Sequence, residues 1–230
     1  ASRQPEGLRF SDVQKLLGQV SPTTVNKILK ELTAAGALRK ARDGRYVMGM
    51  KVYFWGRTVA ARQGPMQVVR ECMAELHERF KASVNLFTCS GEHMLCLESI
   101  TSPQSPSLWP AGKSLPLQLP VIGSIFFFTQ EQLADEDFMQ AECERHDPGM
   151  DPGKVLEMVR SARATAVQFD AGLFYPGVYR LAVPIVEQGR IAMVLGLGVL
   201  EAGGASKDVV ERISAAMIEM KGRVERVMNM

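Results

Sequence analysis

Residues 21–45 concentrate side chains whose chemistry suits a nucleic acid. Ser21, Pro22, Thr23, Thr24, Asn26, Lys27 and Lys30 lie close together in the chain. They offer hydroxyl, amide and ammonium groups, which reach base edges and phosphate oxygens of a duplex. A second group, Arg39, Lys40, Arg42 and Arg45, follows at once. The whole chain is polarised in the same sense. Its formal net charge is +2, yet residues 1–64 hold 12 Lys/Arg against 4 Asp/Glu, and residues 65–230 hold 15 against 21. A basic head on an acidic body fits double-stranded DNA as a partner, because Lys and Arg that neutralise phosphates release counterions. A solvated basic face with no partner is the simpler alternative.

The elements that would position these groups can be read from caps and periodicity. Ser11 is expected to cap a first helix with Val13, Leu16 and Leu17 on one side and Gly18 at its end. Ser21 as cap and Pro22 at the first helical position open a second helix. Its Val25, Ile28, Leu29 and Leu32 form one stripe for a core, opposite the polar groups, and Gly36 ends it. Asp43-Gly44, between residues 38–42 and 45–48, is a two-residue hairpin signal, and the resulting wing carries the second basic group. Helix, turn, helix and basic wing make a DNA-binding pattern. A connector over residues 51–63, with Val52, Tyr53, Trp55 and Val59, is closed by Gly64-Pro65 and packs on the wing or on a second copy of the chain.

From Met66 the pattern changes. A helix carries Met66, Val69, Met73, Leu76 and Phe80, and strands over 84–88 and 94–100 flank a turn at 89–92. Residues 102–110 read as a loop and 113–117 as a strand. Pro120 starts a short apolar helix containing Gly123, 131–147 is a solvated acidic segment, and 154–163 is helical. Strands over 179–186 and 190–200 flank Glu187-Gln188-Gly189, and a last helix carries Val210, Ile213, Met217, Met220, Val224 and Val227. Hairpins with helices at both ends predict an α+β domain with an antiparallel sheet. Along 190–200 the bulky Ile191, Met193, Leu195, Leu197 and Val199 alternate with Ala192, Val194, Gly196 and Gly198. One sheet face therefore packs into a core while the glycines clear room on the other, either for a ligand or for a closely packed helix. The same parity sets Arg180 with Ala182 and Pro184, away from Leu181, Val183 and Ile185.

Several function classes find no support in the sequence. Cys72, Cys89, Cys96 and Cys143, with His77, His93 and His146, show no metal-ligand spacing, so neither a metal nor a cofactor is expected and the cysteines read as free thiols. There is no phosphate loop, nucleophile elbow or paired metal motif, and no enzyme is expected. Apolar runs fall short of the roughly 20 residues of a membrane helix, and no secretion signal precedes the first helix. A cytoplasmic protein is the expectation.

The run SPTTVNKILKELTAAGALRK followed by GRYVMG resembles the winged-helix domain of IclR-type transcription regulators. The likeness extends to LPLQLPVIGS and to Asp170 with Pro176-Gly177-Val178. It implies a winged helix-turn-helix over residues 1–50, preceded in the family by one more helix, then a connector over 51–65 that helps dimerisation, and a GAF-like effector domain over 66–230. A homodimer or homotetramer follows from it. It also implies a small-molecule pocket near Leu117, Val121 and Ile122, shared with Asp170, Tyr175, Arg180, Gly196 and Gly198. Trp109, Phe174 and Tyr175 would wall a flat ligand. Departures cluster at that pocket: Arg180 stands where the family has Cys, Tyr175 where it has Glu, and Gly196-Leu197-Gly198 where it has Ser-x-Ser. The Arg180 guanidinium suits a carboxylate from an organic acid or from Asp170 itself, and an internal pair would turn the preference to an uncharged effector. An enzyme, or a stand-alone binding module with a degenerate DNA-binding head, is the competing reading.

Overall fold

The computed structural model describes residues 7–18, 20–61, 63–105, 109–147, 149–200 and 206–230. The chain divides into two units, Ala1–Gln63 and Gly64–Met230.

In the first unit, α1 (Phe10–Leu16) and α2 (Pro22–Ala34) are followed by the hairpin of β1 (Leu38–Lys40) and β2 (Tyr46–Met48) and by α3 (Met50–Ala61). The cap of α1 is Arg9, not Ser11: no side chain accepts from the first turn as the hydroxyl was expected to, and instead Arg9 N–H donates back to the Asp12 carboxylate at 2.9 Å. At α2 the sequence signal holds, with the Ser21 hydroxyl accepting from Thr24 N–H at 3.2 Å. Val25 and Leu29 are buried, whereas Ile28 and Leu32 are 37% and 39% exposed, so only half of the expected stripe reaches the core. Leu8 makes an isolated antiparallel bridge to Tyr46, with backbone hydrogen bonds in both directions, beside the two-stranded wing. The hairpin turn is longer than Asp43-Gly44 alone. Ala41 N–H donates to Arg45 C=O, Gly44 N–H donates to Ala41 C=O, and only Gly44 is left-handed (φ 82°). This is a three-residue loop with a bulge glycine, in which Asp43 keeps an ordinary φ that the tighter turn would deny it.

All but the first residue of α4 (Gln63–Phe80) belongs to the second unit, and Gly64-Pro65 sits in its first helical turn instead of closing the connector; Pro is tolerated there because that N–H has no helical partner. An antiparallel six-stranded sheet follows in the order β5-β4-β3-β8-β7-β6. Its strands are β3 (Ser83–Ser90), β4 (His93–Ile100), β5 (Ser114–Pro116), β6 (Gln168–Ala171), β7 (Val178–Glu187) and β8 (Arg190–Leu200). On one face Val84, Leu86, Leu181, Val183, Ile185, Leu195 and Leu197 pack with Met73 and Leu76 of α4 and with Ile213, Met217 and Val224 of α8 (Lys207–Met228). On the other face Val121 and Ile122 pack with Phe87, Ala182 and Val194, while α5 (Gln130–Ala134), α6 (Glu136–His146) and α7 (Pro152–Thr165) form a further cluster with Leu119, Ile125 and Phe128, in which α7 contacts β6.

Two expectations fail here for one reason, the layer over this second face. Residues 131–147 are not a solvated segment: Leu133, Met139 and Cys143 are buried against α7. The apolar helix expected from Pro120 is a turn followed by a single 3-10 turn at Ser124–Phe126. Gly123 is left-handed (φ 82°), and a Cβ there would lie 2.2 Å from Val194 Cγ1. The chain is pressed onto the sheet at that point and has no room to wind. A register shift between Ile185 and Val186 changes strand parity at the start of β8. Ile191 therefore packs with the Phe87–Val194 cluster, and Ala192 with the main core, opposite to the simple alternation. Thr88 Oγ1 donates to the Ala192 carbonyl at 2.8 Å at this irregularity.

Candidate functional site

Two sets of functional groups were expected, one in each unit. In the first, Ser21, Pro22, Thr23, Thr24, Asn26, Lys27 and Lys30 are all exposed on α2 while Val25 and Leu29 anchor its other side. Asn26, Lys30, Thr33, Lys40 and Tyr46 line one groove between α2 and the hairpin. Arg39, Lys40 and Arg42 are exposed on the wing. Arg45 is more engaged: its Nε lies 3.4 Å from the Asp43 carboxylate. The Lys40 ammonium sits 5.6 Å from the Tyr46 ring centre. On α3, Tyr53, Phe54 and Trp55 are exposed, while the side chain of Val59 lies outside the described residues.

In the second unit, strand register builds the site. Ser83 of β3 pairs with Gly198 of β8, Gly198 with Arg180 of β7, and Arg180 with Asp170 of β6. These residues form one row across four strands, on the face away from the main core. The next row, Asn85, Gly196, Ala182 and Gln168, runs beside it. Arg180 Nε donates to Asp170 Oδ2 at 2.9 Å, its Nη2 donates to the same oxygen, and its Nη1 donates to the Pro120 carbonyl at 2.6 Å. Asp170 Oδ1 accepts from Leu173 N–H at 2.6 Å. The pair is buried, with side-chain exposures of 8% for Arg180 and 0% for Asp170. The guanidinium also lies over the Tyr175 ring at 4.6 Å and near that of Phe174 at 5.5 Å.

Over this row lies a cavity of about 180 Å³ lined by Trp109, Ile122, Tyr175, Arg180, Gly196 and Gly198, together with Ser83, Asn85, Ser105, Val178, Leu197 and Leu200. Six expected residues are thus brought together. Asp170 stands behind Arg180, Val121 lines an adjoining cavity of about 140 Å³, and Leu117 packs beside Trp109 against the Phe87 cluster; none of the three borders the larger cavity. The two glycines do different work. A Cβ on Gly196 would lie 3.1 Å from Ile122 Cγ2, which is close packing, whereas a Cβ on Gly198 would meet nothing within 4 Å. At Gly196 the space is filled by Ile122 of a turn, not by the helix expected as one alternative, and at Gly198 it is open.

The residues that escaped sequence reasoning are chiefly polar. Ser83 Oγ donates to the Ser105 carbonyl and accepts from Ser102 N–H at 2.9 Å; Ser105 Oγ donates to the Gly198 carbonyl at 2.8 Å. Asn85 Nδ2 donates to the Trp109 carbonyl and to Ser99 Oγ, both at 2.9 Å. The serine-rich segment is thus tied to the sheet. The available signal was Ser83 and Asn85 alternating with Val84 and Leu86, polar groups on the inner face of a buried strand. Burial pushes the Cys96 thiol up from its ordinary range, against a hydrogen bond from Asn85, so near neutral pH it stays protonated. Among the described residues no group of three or more His, Cys, Asp or Glu is placed to hold a metal, and no helix is long and apolar enough to cross a membrane.

No family model matches the chain. The HTH-type transcriptional regulator XynR of Escherichia coli (strain K12) is 25% identical over 126 residues, which is 54% of this chain and 50% of that relative; the chain thus matches about half the length of its curated relative. Among solved structures, an IclR-type transcriptional regulator from Silicibacter sp. TM1040 superposes with a TM-score of 0.71 at 18% identity, covering 97% of this chain and 90% of its own. An IclR homologue from Microbacterium hydrocarbonoxydans, solved with 4-hydroxybenzoate, has a TM-score of 0.61 at 18% identity, covering 95% and 91%. Along nearly its whole length, the chain has the fold of the IclR-type transcription regulators.

Proposed function

We propose that the chain is a transcription regulator of the IclR type, whose first unit binds double-stranded DNA and whose second unit binds a small organic effector that modulates it. The observation that carries this reading is the division of α2: Val25 and Leu29 are buried, and Thr23, Asn26, Lys27 and Lys30 are exposed beside a basic hairpin. A helix so divided presents its polar side to the major groove, and the wing cations Arg39, Lys40 and Arg42 reach phosphates. Arg45 contributes less, because Asp43 competes for it. No step of this account is catalytic. A two-fold homo-oligomer, dimer or tetramer, is supported by the exposed Tyr53, Phe54 and Trp55 of α3, and would match paired half-sites.

The effector reading is supported by the 180 Å³ cavity. An apolar cavity of about 150 Å³ holds a benzene molecule, so a one-ring compound fits. The structural neighbour solved with 4-hydroxybenzoate, itself a one-ring compound, agrees in scale.

A duplex selected from a random pool by the full-length protein tests the proposal. Asn26→Ala should weaken its binding by about 1–3 kcal/mol and relax preference at one base position, as loss of a bidentate base contact does. Lys27→Ala should weaken it as well. Folded variants that both bind like the wild type would refute the assignment of α2.

A further inference from the structure

We infer that the cavity over Gly198 selects an uncharged, ring-sized ligand carrying an oxygen acceptor, and discriminates against carboxylates, because Arg180 in its wall is already neutralised from within. The inference rests on the effector reading of that cavity and adds the ligand's charge to it.

Among the described residues lining the cavity, only Arg180 bears a charge. Its counter-charge, Asp170, is fixed opposite it by strand pairing and has no route to solvent. A ligand carboxylate could take the guanidinium only by leaving that buried Asp170 without its cation, or by sharing it and placing two anions against one cation. Either arrangement leaves a net negative charge on a group of side chains whose existing pair is buried, a cost that pair does not carry. Among the described residues lining the adjoining cavity, the basic side chains are Arg145 and His146, and the His146 Nε2 is engaged with the Phe174 carbonyl at 2.8 Å. That cavity shares Trp109 and Tyr175 as walls, and its Arg145 is paired with the buried Glu142. Lys113 lies exposed over the Trp109 ring at 4.7 Å and lines neither cavity.

Polar contact with a neutral ligand remains available. The bonds to Asp170 and Pro120 occupy three guanidinium N–H groups, and a guanidinium has five. The remaining N–H groups suit a carbonyl, phenol or lactone oxygen. The Tyr175 and Trp109 rings, with Ile122, Val178 and Leu200, offer apolar contact to the rest of a ring. This set matches a carboxamide, aldehyde, ketone or lactone on one ring.

Two pairs of probes matched in shape but not in charge test it near neutral pH: benzamide against benzoate, and phenylacetamide against phenylacetate. Their affinities for the full-length protein can be read by ligand-detected NMR titration. The wild type should take each amide on the order of tenfold or more tighter than its acid. Gly198→Leu, which fills the cavity, should lose the amides. Asp170→Asn frees the guanidinium and should shift the preference toward the acids. Acids binding the wild type as well as the amides would overturn the inference and leave the effector reading standing. So would a folded Asp170→Asn with an unchanged preference. If Asp170→Asn does not fold, the wild-type comparison decides alone. Failure of all four probes to bind the wild type, or equal binding by Gly198→Leu, would overturn the effector reading of this cavity and the inference with it.

Discussion

The two units use polar side chains in opposite ways. In the first, Thr23, Asn26, Lys27, Lys30, Arg39 and Arg42 stand exposed, with a small core behind them built on Leu8, Val25, Leu29 and Ala37. In the second, Ser83, Asn85, Glu142, Gln168, Asp170 and Arg180 are buried, and each is held by a protein partner. Exposed charges cost little to fold and stay available to a polyanion. Buried ones must be satisfied at once, and what they then provide is shape and neutrality. The same residue type, arginine, stands exposed on the wing and is a piece of framework beside the cavity.

The largest expected effect separates those two arginines. Arg180→Met leaves Asp170 buried without its cation and should cost about 3–5 kcal/mol of stability in denaturant unfolding. Arg42→Ala, on the exposed wing, should stay within about 0.5 kcal/mol of the wild type. Equal stability of the two variants would erase the contrast. A smaller difference sharpens it inside the second unit. Gly196→Ala presses a methyl against Ile122 and should destabilise by about 1 kcal/mol or more, as overpacking does. Gly198→Ala enters open space and should change stability by less than about 0.5 kcal/mol. The reverse order would mean that the space over Gly198 is not open in solution.

Much of this contrast was legible in the sequence, and the gaps have physical causes. The Ser21-Pro22 start of α2, the basic wing and the parity that sets Arg180 away from Leu181 and Val183 all rest on local rules of capping, turn and alternation. Tertiary context decided the rest. The cap of α1 fell at Arg9, bonded back to Asp12, and not at Ser11, and the type of the wing turn depended on a φ value that Asp43-Gly44 does not specify alone. Residues 131–147 looked solvated because their charges outnumber the few apolar positions, Leu133, Met139 and Cys143, that actually direct the packing. The β8 irregularity, which turns Ile191 to the opposite face, leaves no mark in an alternating pattern. At the cavity, the glycines were visible but their separate roles were not, because only the position of Ile122 distinguishes them.

The central claim, that the exposed cations of the first unit meet nucleic acid, is tested most directly by the salt dependence of duplex binding. Affinity of the full-length protein for double-stranded DNA, measured from about 50 to about 200 mM salt, should fall steeply on a double-logarithmic plot. The Arg39→Ala, Arg42→Ala double variant should show a slope shallower by about two, one for each phosphate contact removed, with its base preference unchanged. Binding that does not respond to salt, or a double variant with the wild-type slope, would contradict the account.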